Sequence, residues 1–143
     1  IIGILDQSID LTTLYQSSSL IRFDLQSMTG INSVGIASLI RLMQKHSGVQ
    51  VEYHRCPAFF VHSLNNMPII LGPTKDPSIV RSLYYPYVCS DCGIERSILI
   101  DTATIFVQGN SIALPSLICS KCSKAMTPQD EPEAFLAFFL SES

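Results

Sequence analysis

Between residues 20 and 53 the spacing of apolar positions changes from strand-like to helical and back. In Leu20-Ile21-Arg22-Phe23-Asp24-Leu25 the odd positions Ile21, Phe23 and Leu25 share one face, the pattern of a half-buried strand. From Val34 to His46, Ile36, Leu39, Ile40 and Met43 recur at helical spacing, while Ser38, Arg41, Gln44 and Lys45 lie away from them. Ser47-Gly48 is a stop signal, and Val49-Gln50-Val51-Glu52-Tyr53 alternates again as a strand. Pro57 suits the first turn of a helix that runs through Phe60, Val61 and Leu64 to Asn65-Asn66, and Pro68 to Gly72 reads as a short apolar strand. At the front, Ile1 to Leu5 reads as a strand and Leu11 to Gln16 as a helix closed by Ser17-Ser18-Ser19. Strands separated by helices imply right-handed parallel β-α-β crossovers. Residues 1–72 are therefore expected to form a mixed or mainly parallel sheet, flanked by helices starting near Leu11, Val34 and Pro57.

Gly72-Pro73-Thr74-Lys75-Asp76-Pro77 has linker composition, and the texture changes after it. Tyr84, Tyr85, Tyr87 and Val88 lead into Cys89. Ser97 to Asp101, Thr104 to Val107 and Ser111 to Leu114 have short-strand composition, with a turn at Gln108-Gly109-Asn110. Thr127 to Glu133 breaks the chain again, and Ala134 to Leu140 reads as a short apolar helix whose N-terminus suits Glu131 and Glu133. This gives two units: residues 1–76, an α/β domain, and residues 77–143, a small β-rich domain with a short C-terminal helix.

Composition agrees with a chain that buries a core: of 143 residues, 47% are hydrophobic and 15% charged. The longest uninterrupted apolar run, Ala134 to Leu140, is seven residues, where a membrane span needs about 20. Net charge is −3. Residues 1–80 balance five Lys/Arg against five Asp/Glu, and residues 81–143 carry four against seven. Neither half offers the basic surface that neutralising nucleic-acid phosphates requires.

Four of the five cysteines form two C-x-x-C pairs, Cys89-Ser90-Asp91-Cys92 and Cys119-Ser120-Lys121-Cys122, separated by 26 residues. Two thiolates three apart on a tight turn grip one ion from the same side, and two such turns complete a tetrahedral four-sulfur site. The strand-like segments between them match the hairpins of a zinc ribbon. A thioredoxin-type dithiol would instead place one C-x-x-C at a helix start in a β-α-β unit. Cys89, Cys92, Cys119 and Cys122 are expected to hold one zinc ion. Four thiolates close its shell, and none of His46, His54 and His62 lies in this region, so its role is structural. The fifth, Cys56, reads as a small buried hydrophobe rather than a nucleophile paired with His54.

One further order of features stands out in residues 20–72. A strand ends in Asp24-Leu25, a turn covers Gln26 to Gly30, and Ile31-Asn32-Ser33-Val34-Gly35 opens an amphipathic helix. A glycine-terminated loop, a strand, a Pro-containing helix and a further strand follow. This order resembles a STAS domain, the fold of bacterial anti-sigma-factor antagonists, over roughly half the chain. The loop of that family reads Ile-Asp-Ser-Ser-Gly. Ile31, Ser33 and Gly35 match it, Asn32 replaces the Asp, and Val34 replaces the second Ser. In switching members a partner kinase phosphorylates that second serine, which blocks docking. Valine has no hydroxyl, so the resemblance implies a module without the usual switch. Asn32 and Ser33 are expected to cap the helix. The resemblance places the partner-binding surface at Asn32, Ser33, Val34, Gly35, Ser38 and Arg41, with Lys45 on the same side.

No glycine-rich phosphate loop, paired carboxylates or Ser-His-Asp motif is present. The reading is therefore a non-catalytic, cytoplasmic, regulatory protein-interaction module with a structural zinc ribbon and a protein partner. A competing reading makes the ribbon a nucleic-acid reader, with Tyr84, Tyr85 and Tyr87 stacking on bases and the first unit serving regulation or dimerisation. The acidic balance of residues 81–143 counts against it. A thiol oxidoreductase is the third reading.

Overall fold

The computed structural model describes residues 3–5, 20–45, 50–72, 75–108 and 111–140. The expected helix at Leu11 and the turn at Gly109-Asn110 lie outside them.

The first elements are strands β1 (Gly3–Leu5), β2 (Leu20–Asp24) and β3 (Met28–Ile31), helix α1 (Ser33–Lys45), strand β4 (Gln50–His54) and helix α2 (Ala58–Asn66). β2 and β4 pair in parallel, Phe23 opposite Tyr53, and β1 pairs in parallel with β3. β3 occupies part of the segment whose composition reads as a turn. Alternation turns Phe23, Val51 and Tyr53 inward, where they meet Ile36, Leu39, Leu42 and Met43 of α1 and Phe60, Val61 and Leu64 of α2 in one apolar core. Asn32 caps α1: its backbone oxygen accepts the first intrahelical bond, from the Ile36 N–H at 3.0 Å, and its Oδ1 accepts the Gly35 N–H at 2.9 Å, satisfying one of the four donors a helix start leaves orphaned.

The segment Pro68 to Gly72 corrects the sequence reading. Pro68–Leu71 is a 3₁₀ helix, with the Ile70 N–H bonded to Met67 O and the Gly72 N–H to Ile69 O. Four apolar residues in a row have no period to choose strand over turn, and Pro68 can donate nothing to a ladder. Gly72 closes the turn at φ +96°, where only glycine is unstrained. The fully buried Tyr53 hydroxyl donates to Ile70 O at 2.9 Å, so the turn is tied to β4.

The strand that returns beside β4 is instead the start of β5 (Ser82–Val88). Tyr53 bridges Val80 and Cys56 bridges Leu83, both in parallel. The crossover β4-α2-β5 is thus the parallel unit that the alternation of periods predicts, completed about ten residues later than expected. β5 continues into an antiparallel sheet in the order β6-β5-β10-β9, with β6 at Glu95–Asp101, β9 at Leu117–Ile118 and β10 at Ala125–Pro128. β7 (Phe106–Gln108) and β8 (Ser111–Ala113) form a separate hairpin.

The expected helix Ala134 to Leu140 is broken into α3 (Pro132–Phe135) and α4 (Ala137–Leu140). The cause is Asn65, at the end of α2. Its Nδ2 donates to Phe135 O at 2.8 Å and its Oδ1 accepts the Phe138 N–H at 2.9 Å, so the groups freed by the break find partners. His62 meets the Phe135 ring edge-on, with centroids 5.5 Å apart. Substituting Asn65 with Ala leaves these backbone groups unpaired and should cost about 1–3 kcal/mol. Asn65→Asp should cost at least as much, by turning a carboxylate toward Phe135 O. The exposed neighbour Asn66→Ala should stay within about 0.5 kcal/mol. Urea denaturation of the three variants checks the order.

On the sheet face opposite the core, Glu52 gathers hydrogen-bond donors. Its carboxylate accepts from Arg22 Nε at 3.3 Å, Arg81 Nη2 at 2.9 Å and His54 Nε2 at 3.1 Å. The His54 contact, then Arg81 and Arg22, hold its carboxyl below the ordinary 4.5. A carboxyl lowered by folding adds stability above its unfolded value, and that share is lost as the pH falls through the folded one. Glu52→Gln should therefore lower stability at neutral pH and flatten its acid limb. A series of denaturation midpoints should show the two proteins converging as the pH drops well below 4.5.

Candidate metal centre

The antiparallel sheet builds this site from two hairpin turns. β5 ends at Val88, and the chain turns through Cys89 to Cys92 into β6. β9 ends at Ile118, and the chain turns through Cys119 to Cys122 into β10. β5 and β10 pair antiparallel with Val88 opposite Thr127, so both turns lie at the same end of the sheet. Each is closed in the same way. The Gly93 N–H bonds to Cys89 O at 2.8 Å and the Cys89 N–H to Ile94 O at 2.9 Å. In the second turn the Ser123 N–H bonds to Cys119 O at 2.9 Å and the Cys119 N–H to Lys124 O at 2.8 Å. Gly93 has φ +72° and Ser123 φ +63°, the left-handed conformation that turns the chain out of each cysteine loop toward the next strand. Lys124 and Asp91 pair across the two turns.

The four Sγ atoms all lie within 4.8 Å of one another. Cys89 and Cys122 are 3.4 Å apart, Cys92 and Cys119 3.5 Å, and Cys92 and Cys122 4.0 Å. A metal–sulfur bond of about 2.3 Å gives a tetrahedron of about 3.8 Å edge, so the cluster has the size of a tetrathiolate cage. Cys89 and Cys119 are buried, Cys92 and Cys122 half-buried.

Backbone donors favour thiolates here. N–H groups of Cys122 and Lys121 draw the Cys119 thiol down to about 6. Cys89 is drawn down chiefly by the Cys92 N–H, with the Cys122 thiol and the Asp91 N–H adding to it. The Lys124 N–H also favours the Cys122 thiolate, but the neighbouring Cys89 and Cys119 sulfurs and burial outweigh it and push that thiol up to about 12. Four sulfurs this close cannot all carry charge without a cation among them. A bound metal ion would supply it, and the four-thiolate donor set suits zinc or iron.

The spacing of the C-x-x-C pairs thus locates all four grouped cysteines. Each pair sits in the turn of its own hairpin, β5–β6 and β9–β10. Cys56 is fully buried and burial alone raises its thiol, which keeps it neutral. His54 bonds to Glu52 instead. Tyr85 and Tyr87 are buried, with hydroxyls donated to Asp130 O and Pro115 O, each at 2.8 Å. They are core residues, unavailable for stacking on bases.

The second set of candidate residues lies at the start of α1. Asn32, Ser33, Val34 and Arg41 are exposed, Ser38 is half-buried and Gly35 is buried. The Lys45 side chain lies outside the described residues. No described helix is long and apolar enough to cross a membrane. Comparison with family models, curated proteins and solved structures returns no match.

Elemental analysis of the purified intact chain should return one metal ion per molecule. Cys119→Ser and Cys92→Ser should each lose most of it. Both should also lower stability by several kcal/mol, because a structural metal contributes folding energy directly. Full metal content in either variant would contradict the four-sulfur site.

Proposed function

We propose that this chain is a non-catalytic, regulatory protein-interaction module: a STAS-like unit presenting the start of α1 to a protein partner, joined to a structural zinc site. The observation that carries the reading is Val34. It is 43% exposed on the first helical turn, beside the exposed Asn32 and Ser33. An apolar side chain held in water at a capped helix start gains free energy when a partner covers it. The order β2, a short turn and β3, capped α1, β4, α2 and a returning parallel strand supports the STAS-like assignment.

Zinc fits the second part of the reading. Four thiolates close a tetrahedral shell and leave no position for water or substrate, so the metal's work is to hold two hairpin turns together. Reduced thiolates suit a cytoplasmic setting. The nucleic-acid reading loses two of its three stacking tyrosines to the core and gains no basic surface in exchange.

Val34→Asp tests the interaction surface. A charge at the docking centre must be desolvated, so recovery of the partner by the intact chain should fall roughly tenfold or more. The fold should be unaffected, because a helix N-terminus favours an anion by about 0.3–1 kcal/mol. Quantitative pull-downs with wild-type and variant chains, run beside thermal melts, separate the two effects. Equal recovery of every partner would refute the assignment of this surface.

A further inference from the structure

The sulfurs of the two cysteine turns divide by exposure as well as by turn. Cys89 and Cys119, the first of each pair, are buried, and Cys92 and Cys122, the second of each, are half-buried. Two short separations cross from one turn to the other. The half-buried Cys122 lies 3.4 Å from the buried Cys89, and the half-buried Cys92 lies 3.5 Å from the buried Cys119. These contacts share no atom and together use all four sulfurs. Each sulfur that solvent reaches thus has a sheltered sulfur of the opposite turn against it.

The chain itself also keeps the turns side by side. Val88 of β5 pairs with Thr127 of β10 beneath them, and Thr127 Oγ1 donates to Val88 O at 3.4 Å. Lys124 and Asp91 form an ion pair across them. The sulfurs of one turn therefore continue to face those of the other when an ion leaves.

We propose that this site is an oxidation-sensitive staple: a peroxide converts its four thiolates into two disulfides that cross between the turns, Cys89 with Cys122 and Cys92 with Cys119, and the metal ion is released. Each bond forms in two steps. The half-buried thiolate attacks a peroxide oxygen, becomes a sulfenic acid and expels hydroxide. The buried thiolate of the other turn then attacks that sulfur, the S–S bond forms, and the sulfenic oxygen leaves as a second hydroxide. Two electrons pass from each sulfur pair to one peroxide. A disulfide bond is about 2.05 Å long, so each pair closes by about 1.4 Å. The thiolate is the metal-binding form of cysteine, and its loss frees the ion. The covalent bonds then take over the work of joining the turns. The inference rests on the zinc reading of this site. A chain purified without metal refutes that reading, whereas the outcomes below concern metal-loaded chain.

The test titrates the intact, zinc-loaded chain with hydrogen peroxide beside a chromogenic zinc chelator, with a peroxide-free control. Zinc release should track the peroxide consumed, about two per ion, and the far-ultraviolet circular dichroism should be retained. Non-reducing peptide mapping then reads the linkages, since cleavage before Asp91 and after Lys121 separates all four cysteines. Cys89–Cys122 and Cys92–Cys119 are expected, with the fully buried Cys56 still a free thiol. A thiol reductant with fresh zinc should restore full metal content. Linkages within the turns, Cys89–Cys92 and Cys119–Cys122, would overturn the proposal. So would Cys89–Cys119 with Cys92–Cys122, zinc retained under a large excess of peroxide, or loss of the circular dichroism signal as the ion leaves.

Discussion

Three backbone hydrogen bonds determine where everything else lies. Arg81 N–H donates to Tyr53 O at 2.8 Å, Cys56 N–H to Ser82 O at 3.1 Å, and Tyr84 N–H to Cys56 O at 2.9 Å. They splice the end of β4 to the start of β5. Upstream of the splice β4 pairs with β2, and downstream β5 runs to Cys89. The same strand thus takes part in the parallel packing at one end and carries a candidate metal ligand at the other. Its inward residues, Leu83, Tyr85 and Tyr87, carry the apolar core from α2 toward α3 and the cysteine turns. The Tyr85 and Phe135 rings, 4.5 Å apart, continue that core to the C-terminal helices.

The splice also explains how far the sequence could be read. β2, α1 and β4 were legible because their periods are local: a strand or helix long enough to repeat its pattern shows its buried face. The cysteine turns were legible because three-residue spacing is a local property of a metal-gripping turn. The remainder is set by distant partners. β9 is two residues long, too short for any period, and exists because β10 lies beside it. The break at Leu136 is imposed by Asn65, whose side chain reaches residues about 70 positions away. The Glu52 cluster assembles arginines 30 and 29 residues distant, and no window along the chain brings them together. Only the register of β2 with β4, and the strand that returns beside them, can do so.

The two cysteine turns are alike in hydrogen bonding yet unlike in composition. The first follows its second cysteine with glycine and the second with serine, both at positive φ. For a residue with a Cβ that conformation costs about 1–2 kcal/mol. It persists where surrounding contacts over-determine the backbone, and here the Cys119–Lys124 and Ser123–Cys119 bonds do so. The turn at Cys119 is therefore held by its hairpin, whereas the turn at Cys89 has a glycine that adopts the shape freely.

Asn65 has a consequence for how the chain is made. The end of α2 cannot complete its contacts until residues 134–138 exist, about 70 positions later. At roughly 5–20 residues per second on the ribosome, that interval lasts roughly 4–14 s. Closing a short loop takes well under a microsecond. Through that wait Phe60, Val61 and Leu64 can pack only on what has already emerged. The nascent chain therefore passes through a stage in which the parallel crossover has formed and the far side of α2 is bare. Residues 134–138 cover that side only once they have emerged, so the order of translation becomes an order of assembly.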